Sequence, residues 1–141
     1  MLGRFGPGAR PSSLDACLDA VSANEQAVGK PLESALLAAV PGSVLLDDDH
    51  PLPSIDAGYG WVVDTVEGNV NHVHGREGWA VTACLLKGRE PVLAAAYVPL
   101  SQALFTAETG QGSKERRAPI RVSDKHELQA SIVATAQAKP F

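Results

Sequence analysis

Leu14, Cys17, Leu18 and Val21 recur three and four positions apart, the spacing that lines one face of an α-helix. Ser12 or Ser13 can cap the start of that helix, and Asp15 suits the positive end of its dipole. A second helix is expected over GKPLESALLAAVPG, with Pro31 tolerated in its first turn and Pro41-Gly42 closing it. The period then changes. Residues 44–46 form a short apolar strand that runs into Asp47, Asp48 and Asp49, and Pro51, Pro53 and Gly58 mark a loop. GWVVD predicts a second short strand, stopping at Asp64. GWAVTACLLKG and EPVLAAAYVPL, joined at Lys87-Gly88-Arg89, predict a hairpin, and ALFTAETGQG a further strand. GSKERRAPIRVS reads as a charged loop with a short strand at residues 120–122, and KHELQASIVATAQA as a turn or short helix followed by a strand at 131–135. Helices first and mostly antiparallel strands afterwards define an α+β class, with N-terminal helices packed on a largely antiparallel sheet.

Composition adds bounds. The chain has 141 residues, 45% hydrophobic and 20% charged, which suits one globular domain with a buried core. Residues 1–11, rich in Gly, Pro and Arg, are expected to be a flexible arm, and residues 12–141 a single domain. A net charge of −4 argues against nucleic acid as the main partner. No apolar run approaches the ~20 residues that span a bilayer, so no membrane partner is expected. The N-terminal MLGRFGPGARP lacks the apolar core of a signal peptide. Cys17 and Cys84 form no CxxC pair and are expected to be small buried apolar residues, so a soluble cytoplasmic protein is expected.

The candidate chemistry sits at strand ends. Asp47-Asp48-Asp49 and the Asp64/Glu67 pair are carboxylates that a rigid sheet could hold close together. Converging carboxylates repel unless a cation lies between them, and an all-oxygen donor set selects a hard ion: Mg²⁺ first, then Mn²⁺ or Ca²⁺. Such a site suits phosphate ester hydrolysis by an activated water. The same residues also fit solvated loop ends. His50, His74 and His126 lie near these clusters or in polar turns, Trp61 and Trp79 are expected to pack under the motif, and Lys114 to Arg117 form a basic loop tip.

The stretch WVVDTVEGNVNHVHG resembles the signature of the inositol monophosphatase family, W-[IV]-x-D-P-[IVL]-D-G-T-x-N-F-x-H-G. The resemblance continues in register through YVPL, LFTAETGQG, PIRVS and LQASIVATAQ, from about residue 44 to residue 137. It implies an α/β/α/β/α sandwich, of which this chain would supply the first half, and Mg²⁺-dependent hydrolysis of a phosphomonoester. By position in the motif, Asp64, the carbonyl of Val66 and Glu67 would hold metal. Gly68 and Asn69 would meet the substrate phosphate at a turn leading into a helix N-terminus. VLLDDD resembles the family's ILGEE, which places Asp47 and Asp48 opposite its glutamate pair: Asp48 as the metal ligand, with Asp49 one step away, and Asp47 with Asn69 in catalysis. Glu67 stands where the family has aspartate, Asn69 where it has threonine, Thr65 where it has proline and His72, a partly exposed packing residue, where it has phenylalanine. No WDxAAG-like segment follows, so the family's C-terminal half is expected to be missing. Two functions follow: a divergent phosphatase acting on a phosphorylated sugar, polyol or nucleotide, or a non-catalytic remnant of the fold serving as a binding or assembly module. Uncovered apolar surface would in either case favour a homo-oligomer or a partner chain.

Overall fold

The computed structural model describes residues 13–46 and 58–133. The expected arm over residues 1–11 and the three aspartates at 47–49, with His50, lie outside the described residues. The expected pair of helices is one helix, α1 (Leu14–Ala39), of 26 residues. Ser13 caps it, its Oγ accepting from the Ala16 N–H at 3.2 Å. Pro31 lies inside the helix, where it removes a backbone hydrogen bond at a cost of about 3 kcal/mol. Packing beyond it offsets that cost, because Leu36, Leu37 and Val40 lie against the core residues Trp61, Ala83 and Leu85. The helix stops where Pro41-Gly42 predicts, with the Val40 N–H donating back to Leu36 O at 3.1 Å.

Gly29 is buried where α1 passes over the sheet, and a Cβ there would lie 3.8 Å from Thr65 Cγ2, an ordinary contact. Gly29→Ala is therefore expected to stabilise the chain by about 1 kcal/mol through helix propensity alone, read as a higher urea midpoint. A lower midpoint would mean that the helix sits closer to the sheet than this contact allows.

Among the described residues the sheet has seven strands in sequential order: β1 (Val44–Leu45), β2 (Tyr59–Glu67), β3 (Ala80–Lys87), β4 (Glu90–Val98), β5 (Ala103–Glu108), β6 (Gly112–Glu115) and β7 (Ala118–Ile120). Among these described strands only the β1–β2 pair is parallel. A five-residue helix, α2 (Asn69–Val73), lies between β2 and β3. The β3–β4 hairpin turns at Gly88-Arg89 as its sequence predicts. The charged GSKE segment is strand β6 rather than loop, because pairing with β5 and β7 satisfies its backbone whatever its side chains prefer. Arg116 and Arg117 form the turn of that hairpin, and the last strand is Ala118–Ile120 instead of residues 120–122. A short 3-10 turn, Leu128–Ala130, follows, but residues 131–133 pair with no strand among the described residues. Residues 134–135, the rest of the strand expected there, lie outside the described residues.

Alternation divides the sheet into two faces. Trp61 and Val63 with their cross-strand partners Leu85 and Ala83 face α1 and form the core. Val62 and Asp64, with Cys84 and Thr82 opposite them, face the other way. That second face continues through Ala94 and Ala96 to Phe105 and forms an open groove of about 490 Å³. Helix α1 covers only the β1–β3 end of the sheet, so apolar side chains farther along, including Tyr97, Leu104 and Ile120, remain exposed. Among the described residues no helix is long and apolar enough to cross a membrane. Cys84 is half-buried on the groove face, where burial raises its thiol pKa.

Candidate metal centre and its relatives

An uninterrupted strand alternates its side chains, so residues three apart, such as Asp64 and Glu67, would point to opposite faces. The structure removes that obstacle. Strand β2 does not stop at Asp64, as its sequence pattern suggests, but runs on to Glu67 through an irregular register. Asp64 pairs with Thr82 and Glu67 with Ala80, so Thr65 and Val66 together oppose the single residue Val81. This β-bulge resets the alternation and brings both carboxylates to one face. The Asp64 side chain helps to hold it, Oδ1 accepting from the Val66 N–H at 2.8 Å. Both acidic residues line the same end of the open groove. Val66 is buried within the bulge at 3% exposure, so only its backbone can serve a ligand.

Among the described residues no lysine or arginine lines the groove, and its walls are mostly apolar, so the two carboxylates create a field that favours a cation. Their donors, with the Val66 carbonyl, are oxygens throughout, the set that suits a hard divalent ion. Among the described residues no three or more His, Cys, Asp or Glu side chains come together. The structure thus places Asp64 and Glu67 on one face of the sheet and in the lining of one groove, while the expected third carboxylate, from Asp47, Asp48 or Asp49, falls in the segment that is not described.

After Glu67 the chain turns sharply at Gly68, with φ +88, and enters α2 at the exposed Asn69. A Cβ on Gly68 would lie 2.6 Å from the carbonyl oxygen of Gly78, so no other residue fits there without backbone movement. The Asn71 side chain donates from Nδ2 to that same Gly78 oxygen at 2.9 Å. Its backbone oxygen accepts from the Arg76 N–H at 2.8 Å. Thr82, which sits across from Asp64, is not apparent as a site residue from the sequence, whereas Asn71 stands at the asparagine of the family motif, with its partner Gly78 outside that motif. The sign of Asn71 is the pair of glycines, Gly68 and Gly78, bracketing the loop that its side chain crosses.

Beneath this corner lies His72. It is buried at 5% exposure, not partly exposed, because its ring packs edge-on against Trp79 with centroids 4.5 Å apart. Trp79 thus packs under the motif as expected, whereas Trp61 is buried in the helix–sheet core and His74 is exposed. Burial lowers the pKa of His72 from its ordinary 6.5, because desolvation disfavours the charged ring in the folded chain. Above that pH both folded and unfolded states are neutral and no stability is lost. As pH falls below 6.5, the unfolded chain takes up a proton that the folded chain resists, and stability declines through the depressed folded value. His72→Phe is expected to flatten this decline in urea midpoints measured from about pH 7.5 to about pH 5. An unchanged slope would place the acid sensitivity elsewhere.

A long N-terminal helix packed on a largely antiparallel sheet is a fold with known relatives. The model of the inositol monophosphatase family matches residues 13–139, and the chain belongs to that family. It is 37% identical over 75 residues to inositol monophosphatase 1 of Solanum lycopersicum, covering 53% of this chain and 28% of that protein. Over 124 residues it is 27% identical to the inositol-1-monophosphatase of Rhizobium meliloti, covering 87% of this chain and 47% of the relative. Among solved structures, it resembles the extragenic suppressor protein suhB from Bartonella henselae with a TM-score of 0.68 and 28% identity, over 78% of this chain and 47% of that one. It matches an inositol monophosphatase from Anabaena with a TM-score of 0.67 and 28% identity, over 80% and 46% of the two chains. The chain thus spans less than half the length of each of these relatives.

Proposed function

We propose that this chain carries the metal-holding end of a Mg²⁺-dependent phosphomonoesterase acting in the cytoplasm on a phosphorylated sugar, polyol or nucleotide. The observation that supports it is the β2 bulge, which gives Asp64 and Glu67 a common face at the end of the groove. In this reading Asp64, Glu67 and the Val66 carbonyl hold Mg²⁺, or Mn²⁺ in its place, together with Asp48. When bound, the ion offsets the charge of the phosphate and acidifies a water. The Gly68 and Asn69 backbone amides receive the phosphate oxygens. Asp47 and the Asn69 amide orient the attacking water, Asp47 accepting its proton. Glu67 carries one methylene more than the aspartate of the family motif, and it sits exposed at the strand end.

The open apolar face favours a second reading, in which the chain is a non-catalytic module that a second copy or a partner chain covers. Phosphate release from a panel of phosphomonoesters, with and without Mg²⁺, separates the two. The phosphatase gives turnover that requires the ion. A folded chain with no turnover, or with turnover indifferent to Mg²⁺, leaves the binding module.

A further inference from the structure

The Asn71 side chain crosses the corner that follows Glu67. Asn71 Nδ2 donates to Gly78 O at 2.9 Å, and that oxygen is the atom 2.6 Å from where a Gly68 Cβ would sit. Gly78 itself has φ +91, and a Cβ on it would come within 3.1 Å of Asn71 Nδ2. Two glycines and one amide therefore interlock. Two residues after Gly78, Ala80 pairs with Glu67 and starts β3. The amide thus fixes the distance between the Gly68 turn and the first residues of β3, and so the end of β2 where Glu67 leaves the bulge. We infer that Asn71 is a positioning residue for the candidate metal centre: by bonding Gly78 it sets the place of Glu67 relative to Asp64. The inference rests on the proposed metal-holding role of that pair. Asn71 does not line the groove, so its effect on a cation passes through the backbone.

A side chain that only stabilises the fold and one that positions the ligands behave differently under two substitutions. Asn71→Ala removes the donor. Asn71→Asp keeps the shape, cannot donate to a carbonyl oxygen and adds a negative charge near the centre. If charge alone governed the site, Asn71→Asp would bind cations more tightly. Positioning instead predicts that both variants lose Mn²⁺ affinity by about tenfold or more, read by paramagnetic relaxation of water protons at a temperature where each is fully folded. Hydrogen exchange tests the clamp itself without any metal. The amides of His72 and Arg76, bonded to Gly68 O and Asn71 O, should exchange about tenfold faster in Asn71→Ala. Amides of the β3–β4 ladder should keep their wild-type rates.

Wild-type exchange at His72 and Arg76 would overturn the clamp. Faster exchange with undiminished Mn²⁺ affinity in Asn71→Asp would overturn the positioning role while leaving the metal centre standing. A wild-type chain that binds no Mn²⁺ at millimolar concentration would remove the metal centre, and the positioning role with it, whatever the exchange rates show.

Discussion

Gly68→Ala is expected to destabilise the chain by about 3 kcal/mol, the combined effect of an unfavourable backbone conformation and a steric clash. The conformation alone does not give that figure. Gly42 has φ +84, close to the +88 of Gly68, yet nothing lies within 4 Å of the position a Gly42 Cβ would take. Gly42→Ala should therefore lose only about 1 kcal/mol. At Gly68 the added carbon would meet the Gly78 carbonyl at 2.6 Å and Trp79 Cα at 3.2 Å, both backbone atoms that no rotamer change can move. Relief requires the β3 entry to shift, which breaks the Asn71–Gly78 bond and disturbs the packing of His72 on Trp79. Urea midpoints of the two variants, measured side by side with the wild type, check the difference. Equal losses would show that the corner is looser than the 2.6 Å approach implies.

Local pattern sufficed where local forces decide. The β3–β4 hairpin was legible because two β-type runs flank a short polar turn, and the end of α1 because Pro41-Gly42 cannot continue a helix. It failed where distant partners decide. Gly29-Lys30-Pro31 carries the local signature of a helix boundary, yet the contacts of Leu36, Leu37 and Val40 with the sheet keep one helix running through it. GSKE carries no strand signal and becomes one because β5 offers an unpaired edge. Residues 131–133 show the converse: Ile132 and Val133 have strong β propensity but are 96% and 76% exposed, with no paired strand among the described residues. At the site, the motif marked Asp64 and Glu67 but not how residues three apart could share a face. The bulge that answers this depends on register with β3. The partner of Asn71 was hidden for a similar reason, since Gly78 lies seven residues along the chain beyond a glycine turn.

The bulge also makes Asp64 the residue whose two duties can be separated. One oxygen, Oδ1, accepts from the Val66 N–H and keeps Thr65 and Val66 opposite the single residue Val81. The charge of the carboxylate is what a divalent ion would use. In Asp64→Asn the amide oxygen can still accept from Val66, so the bulge and the shared face with Glu67 survive, while the negative charge is gone. The expected result is an unfolding free energy, from urea titration, within about 1 kcal/mol of wild type. Mg²⁺-dependent phosphate release should at the same time fall by about 100-fold, on the order of 2.7 kcal/mol of lost stabilisation. Asp64→Ala loses both duties, so it should match that fall in turnover and in addition lose about 1–2 kcal/mol of stability as the Val66 N–H goes without its acceptor. Phosphate-release rates across a Mg²⁺ titration, set beside unfolding curves for the three proteins, decide the matter. Turnover in Asp64→Asn at the wild-type rate, with the same dependence on Mg²⁺, would mean that the ion is held elsewhere and that the bulge serves only the architecture of the sheet.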